Sequence, residues 1–191
     1  MWPLCTAFGR PFMIGGIIVA MSGRRIALFG LLSLFFVFFL AQTAEALNWG
    51  SKEVKIEKIA VNFAREVARG GYSFLRIDEL KQWLDQKKEI LIVDTMPFEV
   101  SYKKIHIPGA AQFEFPIPEL TTMDEKTRAD FAKTLGADKD RLIVFYCGFT
   151  KCTRSHNGAM WAVKLGYRNV YRCPGGIKAW KEAGYPVEEV E

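Results

Sequence analysis

Three cysteines, Cys147, Cys152 and Cys173, concentrate the chemistry of this chain near its C-terminal end. Cys147 closes the apolar, β-favouring run Leu142-Ile143-Val144-Phe145-Tyr146 and opens a polar loop. That loop is Gly148-Phe149-Thr150-Lys151-Cys152-Thr153-Arg154, and a helix-like run follows it. A cysteine placed there faces a helix start, where backbone N–H groups and the helix dipole favour an anion. Such surroundings draw a thiol pKa from about 8.5 toward neutrality and make the sulfur a nucleophile. Lys151 and Arg154 add positive charge, which attracts an anionic substrate. The competing reading is a buried structural cysteine, since a free cysteine packs as a small hydrophobe.

Cys152 lies five residues from Cys147 in the same loop. It is the candidate redox partner, able to resolve an adduct on Cys147 or to close a disulfide that switches the site off. The alternative is an unpaired loop thiol, because spacing alone does not set the distance between Cβ atoms. Cys173, just before Pro174-Gly175-Gly176, stands at the carboxyl end of another strand, where packing is the simplest role; the two glycines allow close backbone approach. Asp94 ends a strand and suits a structural carboxylate. His106 reads as a hydrogen-bonding turn residue, and His156 as a solvent-facing residue on the first turn after the loop. Trp161 and Trp180 read as core anchors on helix faces. No His/Cys set has zinc spacing, so neither a metal nor another cofactor is expected.

Alternating elements must position these groups. Apolar residues at Val54, Ile56, Ile59, Phe63 and Val67 predict a helix over Ser51–Ala68, ended by Gly70-Gly71. Ile77–Leu84 predicts a second helix capped by Asp78. Glu89–Asp94 reads as a buried parallel strand, Glu99–Lys104 as a helical turn, and Ala111–Phe115 as an extended piece. Thr122-Met-Asp-Glu125 resembles a capping box for a helix from Asp124 to Leu135. Then come a strand Leu142–Tyr146, a helix Ser155–Leu165, a strand Asn169–Arg172 and a helix Ile177–Glu182. The alternation predicts an α/β fold with a small, mostly parallel sheet flanked by helices on both faces. Ligands in such sheets sit at the carboxyl ends of strands, so Cys147 and Cys173 are candidates for one crevice.

The chain has 191 residues, enough for one domain and a targeting segment. Ile26–Ala41 is almost unbroken apolar sequence, preceded by Arg24-Arg25 and followed by Ala44-Glu45-Ala46. A basic, then apolar, then small-x-small order predicts a secretory signal peptide cleaved after Ala46, and so a periplasmic or otherwise exported protein. The alternative is a retained membrane anchor over residues 26–41, although a comfortable span needs about 20 apolar residues. Met21 alone opens a complete signal peptide, which makes residues 1–20 a non-native extension and 21–46 the signal. Residues 47–73 then form a helical extension ahead of a domain at 74–187. The formal charge of +5 is spread along the chain. No basic stripe with interleaved aromatics appears, which argues against nucleic-acid binding. A mild positive field favours small anions.

Several of these motifs resemble the rhodanese-like domain. Leu91-Ile92-Val93-Asp94 followed by His106-Ile107-Pro108-Gly109-Ala110 is similar to its first half. Val144-Phe145-Tyr146-Cys147 and Arg154-Ser155 resemble its active-site loop, and Leu165-Gly166-Tyr167 through Gly175-Gly176-Ile177-Lys178-Ala179-Trp180 resembles its closing signature. The resemblance runs from about Phe74 to Val187. It implies a sulfurtransferase: a small anionic donor such as thiosulfate passes its outer sulfur to Cys147, and a thiol or cyanide acceptor removes it. In that pattern Cys147 is the nucleophile and Arg154 the basic residue of the loop. The loop departs from the family pattern. Six residues separate Cys147 from Arg154, two more than in an ordinary rhodanese loop and one more than in related phosphatase-type domains. Met96 also stands where an arginine is often found. Two other readings follow: a catalytically weak redox-sensing or sulfur-carrier binding module, and a cysteine phosphatase or arsenate reductase.

Overall fold

The computed structural model describes residues 52–190. The signal peptide, the alternative anchor, the extension over 1–20 and the first residues of the 47–73 segment lie outside the described residues. Helix α1 spans Glu53–Gly70, and Gly71 ends it in the left-handed conformation at φ 66°. A glycine pair at this place removes the Cβ penalty of that turn. Then follow β1 (Ser73–Phe74), α2 (Ile77–Asp85), β2 (Ile90–Asp94), a π-helical turn (Phe98–Tyr102) and β3 (Ala111–Gln112). The rest comprises α3 (Glu125–Leu135), β4 (Leu142–Tyr146), α4 (Arg154–Lys164), β5 (Asn169–Cys173) and α5 (Gly176–Glu182).

The strands form one parallel sheet in the order β1-β5-β4-β2-β3. Strand β4 pairs with β2 from Leu142↔Ile90 to Tyr146↔Asp94, and with β5 from Leu142↔Asn169 to Tyr146↔Cys173. Because successive side chains point to opposite faces, the central strands feed two cores. Leu91, Val93, Ile143, Phe145 and Val170 pack with Phe131 and Leu135 of α3 and Ala159 and Ala162 of α4. Ile92, Val144, Tyr146 and Cys173 pack on the other face with Leu80 of α2 and Ile177 and Trp180 of α5. Full burial of each large apolar side chain contributes about 1.5–3 kcal/mol.

Two caps differ from the sequence expectation. Helix α2 starts after Arg76, not Asp78; the Arg76 N–H donates to the Glu79 carboxylate at 2.7 Å and its guanidinium to Asp78 at 2.6 Å. Ile77, packed against the second core, is already helical, so the cap falls two residues before Asp78. Helix α3 is capped by Asp124, whose carboxylate accepts the Thr127 N–H at 2.9 Å, so Thr122 is not the cap. Met123, beside that cap, packs on the first core and sets the entry point.

Candidate active site

The carboxyl end of β4 delivers Cys147, and the start of α5 clamps it from below. The Ile177 N–H donates to the Cys147 carbonyl at 2.9 Å and the Lys178 N–H to the Gly148 carbonyl at 3.1 Å. A Cβ on Gly176 would lie 2.1 Å from the Cys147 oxygen, and the residue sits at φ 60°. Close approach and a left-handed backbone therefore both demand glycine there.

The loop from Gly148 to Thr153 folds over the sulfur, and Cys147 has no exposed surface. Its Sγ lies 3.2 Å from Ser155 Oγ, 3.3 Å from the Cys152 carbonyl oxygen and 3.7 Å from the Phe149 carbonyl oxygen. A protonated sulfur can donate to those carbonyls, whereas a thiolate facing them is disfavoured. Burial pushes the Cys147 thiol well above its ordinary range, and the Ser155 hydroxyl and N–H pull it back only in part. Cys152 shows the opposite behaviour. The neighbouring Cys147 side chain, with the Arg154 and Gly148 backbone, outweighs burial and lowers its thiol to about 6. The thiol favoured for ionisation is thus Cys152, whereas the sequence pointed to Cys147. All three cysteines among the described residues are free.

Of the two cations of the loop, one faces solvent and the other is engaged away from the sulfurs. Lys151 is exposed. Arg154 donates to the Phe115 carbonyl and lies 3.5 Å from Glu114 Oε1. The buried cation of the site is Arg172, near the end of β5. Its Nε donates to Ser155 Oγ at 2.9 Å and its Nη2 to the Cys152 carbonyl at 2.9 Å. Its Nη1 meets Glu66 Oε2 of α1 at 2.5 Å, and both side chains are buried.

His156 corrects another expectation: it is fully buried, not solvent-facing. Helix α1 and the turn after it cover this face of α4, so His156 Nδ1 pairs with Tyr72 OH at 2.8 Å. Burial lowers its pKa and keeps the ring neutral. His106 bonds the Tyr102 carbonyl through Nδ1 at 2.9 Å and stacks on the Tyr102 ring, a turn role. Asp94 accepts the Met96 N–H at 2.8 Å, and burial raises its pKa. Cys173 pairs in register with Tyr146 and packs in the second core, where burial pushes its thiol up to about 12. It does not join the Cys147 contacts. Among the described residues no cluster of His, Cys, Asp and Glu could hold a metal ion.

Sequence reasoning did not single out Glu66, Tyr72 or Arg172. A signal existed. Glu66 sits beside the apolar stripe Ile59-Phe63-Val67, and Arg172 shares a strand face with Val170, two residues earlier. Beside the loop, a cleft of about 470 Å³ opens between α1 and α5, lined in part by Ile59, Phe149, Lys151 and Lys178.

Five parallel strands with a cysteine loop at the end of β4 define a rhodanese-type architecture. The chain belongs to the Rhodanese-like domain family, whose sequence profile matches residues 76–183. It is 37% identical over 101 residues to an HTH-type transcriptional regulator of Mycobacterium tuberculosis, covering 53% of this chain and 38% of that protein. It is 32% identical over 75 residues to the thiosulfate sulfurtransferase GlpE of Pseudomonas syringae, covering 39% of this chain and 66% of that protein. The chain therefore spans less than two thirds of either relative. A thiosulfate sulfurtransferase structure from Pseudomonas aeruginosa shares the fold, with a TM-score of 0.50 at 22% identity, over 65% of this chain and 22% of that one.

Proposed function

We propose that this protein is a sulfurtransferase that moves a sulfane sulfur through a persulfide on Cys147. The observation that carries the reading is the Cys147 sulfur at the end of β4, buried 3.2 Å from Ser155 Oγ and sharing its loop with Cys152, a thiol of lowered pKa. Cys152 then acts as the base. As Cys147 attacks the outer sulfur of thiosulfate, its proton passes to Cys152, the S–S bond of the donor breaks, and sulfite leaves with the bonding pair. Ser155 Oγ, 3.2 Å from the sulfur, is placed to donate to the persulfide anion. A thiol or cyanide acceptor takes the outer sulfur and returns Cys147 to the thiol state. The Cys147 sulfur has no exposed surface, so the loop Gly148–Thr153 must open for the donor to enter. Lys151 and Lys178 at the adjacent cleft favour an anion at its mouth.

The test is paired. Cys147→Ser is expected to abolish sulfur transfer from thiosulfate. Cys152→Ser is expected to keep Cys147 as the site of sulfur attachment while slowing turnover by about 10²-fold, the usual scale for a lost general base. Full turnover in Cys147→Ser would move the nucleophile elsewhere.

A second reading makes the pair a redox switch. The shared loop, the burial of both cysteines and the lowered Cys152 thiol favour it. On that reading an oxidant yields a Cys147–Cys152 disulfide and thiosulfate leaves no adduct. The phosphatase or arsenate reductase reading draws less support: two loop carbonyls face the Cys147 sulfur where a bound oxyanion needs N–H donors. Export rests on residues 21–46 alone. Its test is N-terminal sequencing of the mature product, expected to begin at Leu47; recovery of Met1 or Trp2 would refute both cleavage and the Met21 start.

A further inference from the structure

Helix α1 lies entirely outside the matched domain, yet one of its side chains ends in the site. Glu66 is held through both oxygens: Asn62 donates to Oε1 at 2.9 Å, and Arg172 to Oε2 at 2.5 Å. Phe63, one turn earlier, sets its ring 5.1 Å from the guanidinium carbon. Thus fixed, Arg172 has two remaining edges, and each binds a wall of the cysteine pocket. One holds the Cys152 carbonyl, the oxygen 3.3 Å from Cys147 Sγ; the other holds Ser155 Oγ, 3.2 Å from the same sulfur. An arginine fork keeps its donors in one rigid plane, so a shift at the carboxylate is passed to both walls.

We infer that Glu66 is a positioning residue for the cysteine loop: through Arg172 it sets the Cys152 carbonyl and the Ser155 hydroxyl, and so the orientation of the Cys147 sulfur. Helix α1 is then part of the active site of this protein, not an appendage to the domain. The kinetic side of the inference rests on the sulfurtransferase reading; the electrostatic side does not. The charged and titratable groups around the guanidinium and the thiols are Glu66 from α1, Tyr72 before β1, Arg154 and His156 from α4, and the two cysteines. Glu66 offsets the Arg172 charge, and without it the guanidinium acts on the thiols unopposed.

The experiment uses the full chain and two single variants, Glu66→Gln and Arg172→Met. Cysteine alkylation by iodoacetamide is followed by peptide mass across pH, and kcat and KM for thiosulfate are measured alongside. Glu66→Gln is expected to lower the pH midpoint of Cys152 alkylation and Arg172→Met to raise it. Opposite shifts are a signature that loss of packing alone does not produce. In both variants kcat is expected to fall roughly tenfold to hundredfold while KM holds, the scale of a misplaced reacting group. Glu66→Asp is expected to recover part of kcat. If Glu66→Gln does not fold, the double variant E66M/R172M removes both charges and is expected to fold, since buried pairs tolerate apolar replacement. Its kcat is expected to stay low. Unchanged kcat and midpoints in Glu66→Gln, shifts of the same sign in both variants, or full kcat in the double variant would overturn the inference. A wild type without sulfur transfer but with the opposed midpoint shifts would sink the sulfurtransferase reading alone.

Discussion

At the scale of single residues, one negative charge is shared by two sulfurs, and the surroundings place it on Cys152. The Cys147 side chain and the Arg154 and Gly148 backbone favour that charge, whereas Cys147 is buried among carbonyls. This ordering has a kinetic sign. Below about 6 Cys152 is protonated and no longer accepts the Cys147 proton, so sulfur transfer is expected to fall as pH drops through that value. In Cys152→Ser the acidic limb of the rate profile is expected to move to higher pH, because Cys147 must then ionise unaided. Cys147→Ala removes the largest support for the Cys152 thiolate and is expected to raise the alkylation midpoint of Cys152, read by peptide mass after iodoacetamide. An unchanged midpoint would show that the amides alone hold the charge. The sequence placed both cysteines in one loop, but which of them is favoured as the thiolate depends on the fold of six residues, and spacing does not encode that.

At the scale of elements, the loop is set between a strand end and two helix starts. Gly176 is the tightest joint. Gly176→Ala combines a left-handed backbone, about 1–2 kcal/mol for a residue with Cβ, with a Cβ 2.1 Å from the Cys147 oxygen. We expect a loss of at least about 2 kcal/mol in denaturant unfolding, together with slowed Cys147 chemistry. Wild-type stability in that variant would mean the joint relaxes freely. The elements themselves were largely legible. Strand β4 is an unbroken apolar run, and the Gly70-Gly71 pair and Gly136 stop their helices where expected. The caps were not, because Asp78 and Thr122 are good local acceptors and only packing of Ile77 and Met123 decides against them. The Glu66–Arg172 pair joins residues 106 apart in sequence. No local pattern reports such a pairing, although a glutamate beside an apolar stripe and an arginine on a core-facing strand position each hint at a missing partner.

For the described domain as a whole, the parallel sheet separates two cores, and the active-site loop depends on both. Ser155 and Ala159 belong to the α4 face, while the Ile177 N–H holds the Cys147 carbonyl from the α5 face, where Trp180 packs in the second core. Phe131→Ala on one side and Trp180→Ala on the other are each expected to cost about 3–5 kcal/mol, with a single cooperative transition in both by circular dichroism. Two separated transitions in either variant would show that the faces unfold independently. The alternation of helix and strand announced a parallel α/β sheet. The order β1-β5-β4-β2-β3 was not readable, since it depends on which strand edges meet. The central claim, that Cys147 carries the transferred sulfur, is tested most directly by peptide mass spectrometry of the reduced protein after brief incubation with thiosulfate. The account expects an added mass of one sulfur atom on the peptide containing Cys147, retained in Cys152→Ser and removed by cyanide. An adduct confined to Cys152 or Cys173, or no adduct with only a Cys147–Cys152 disulfide formed, would contradict it.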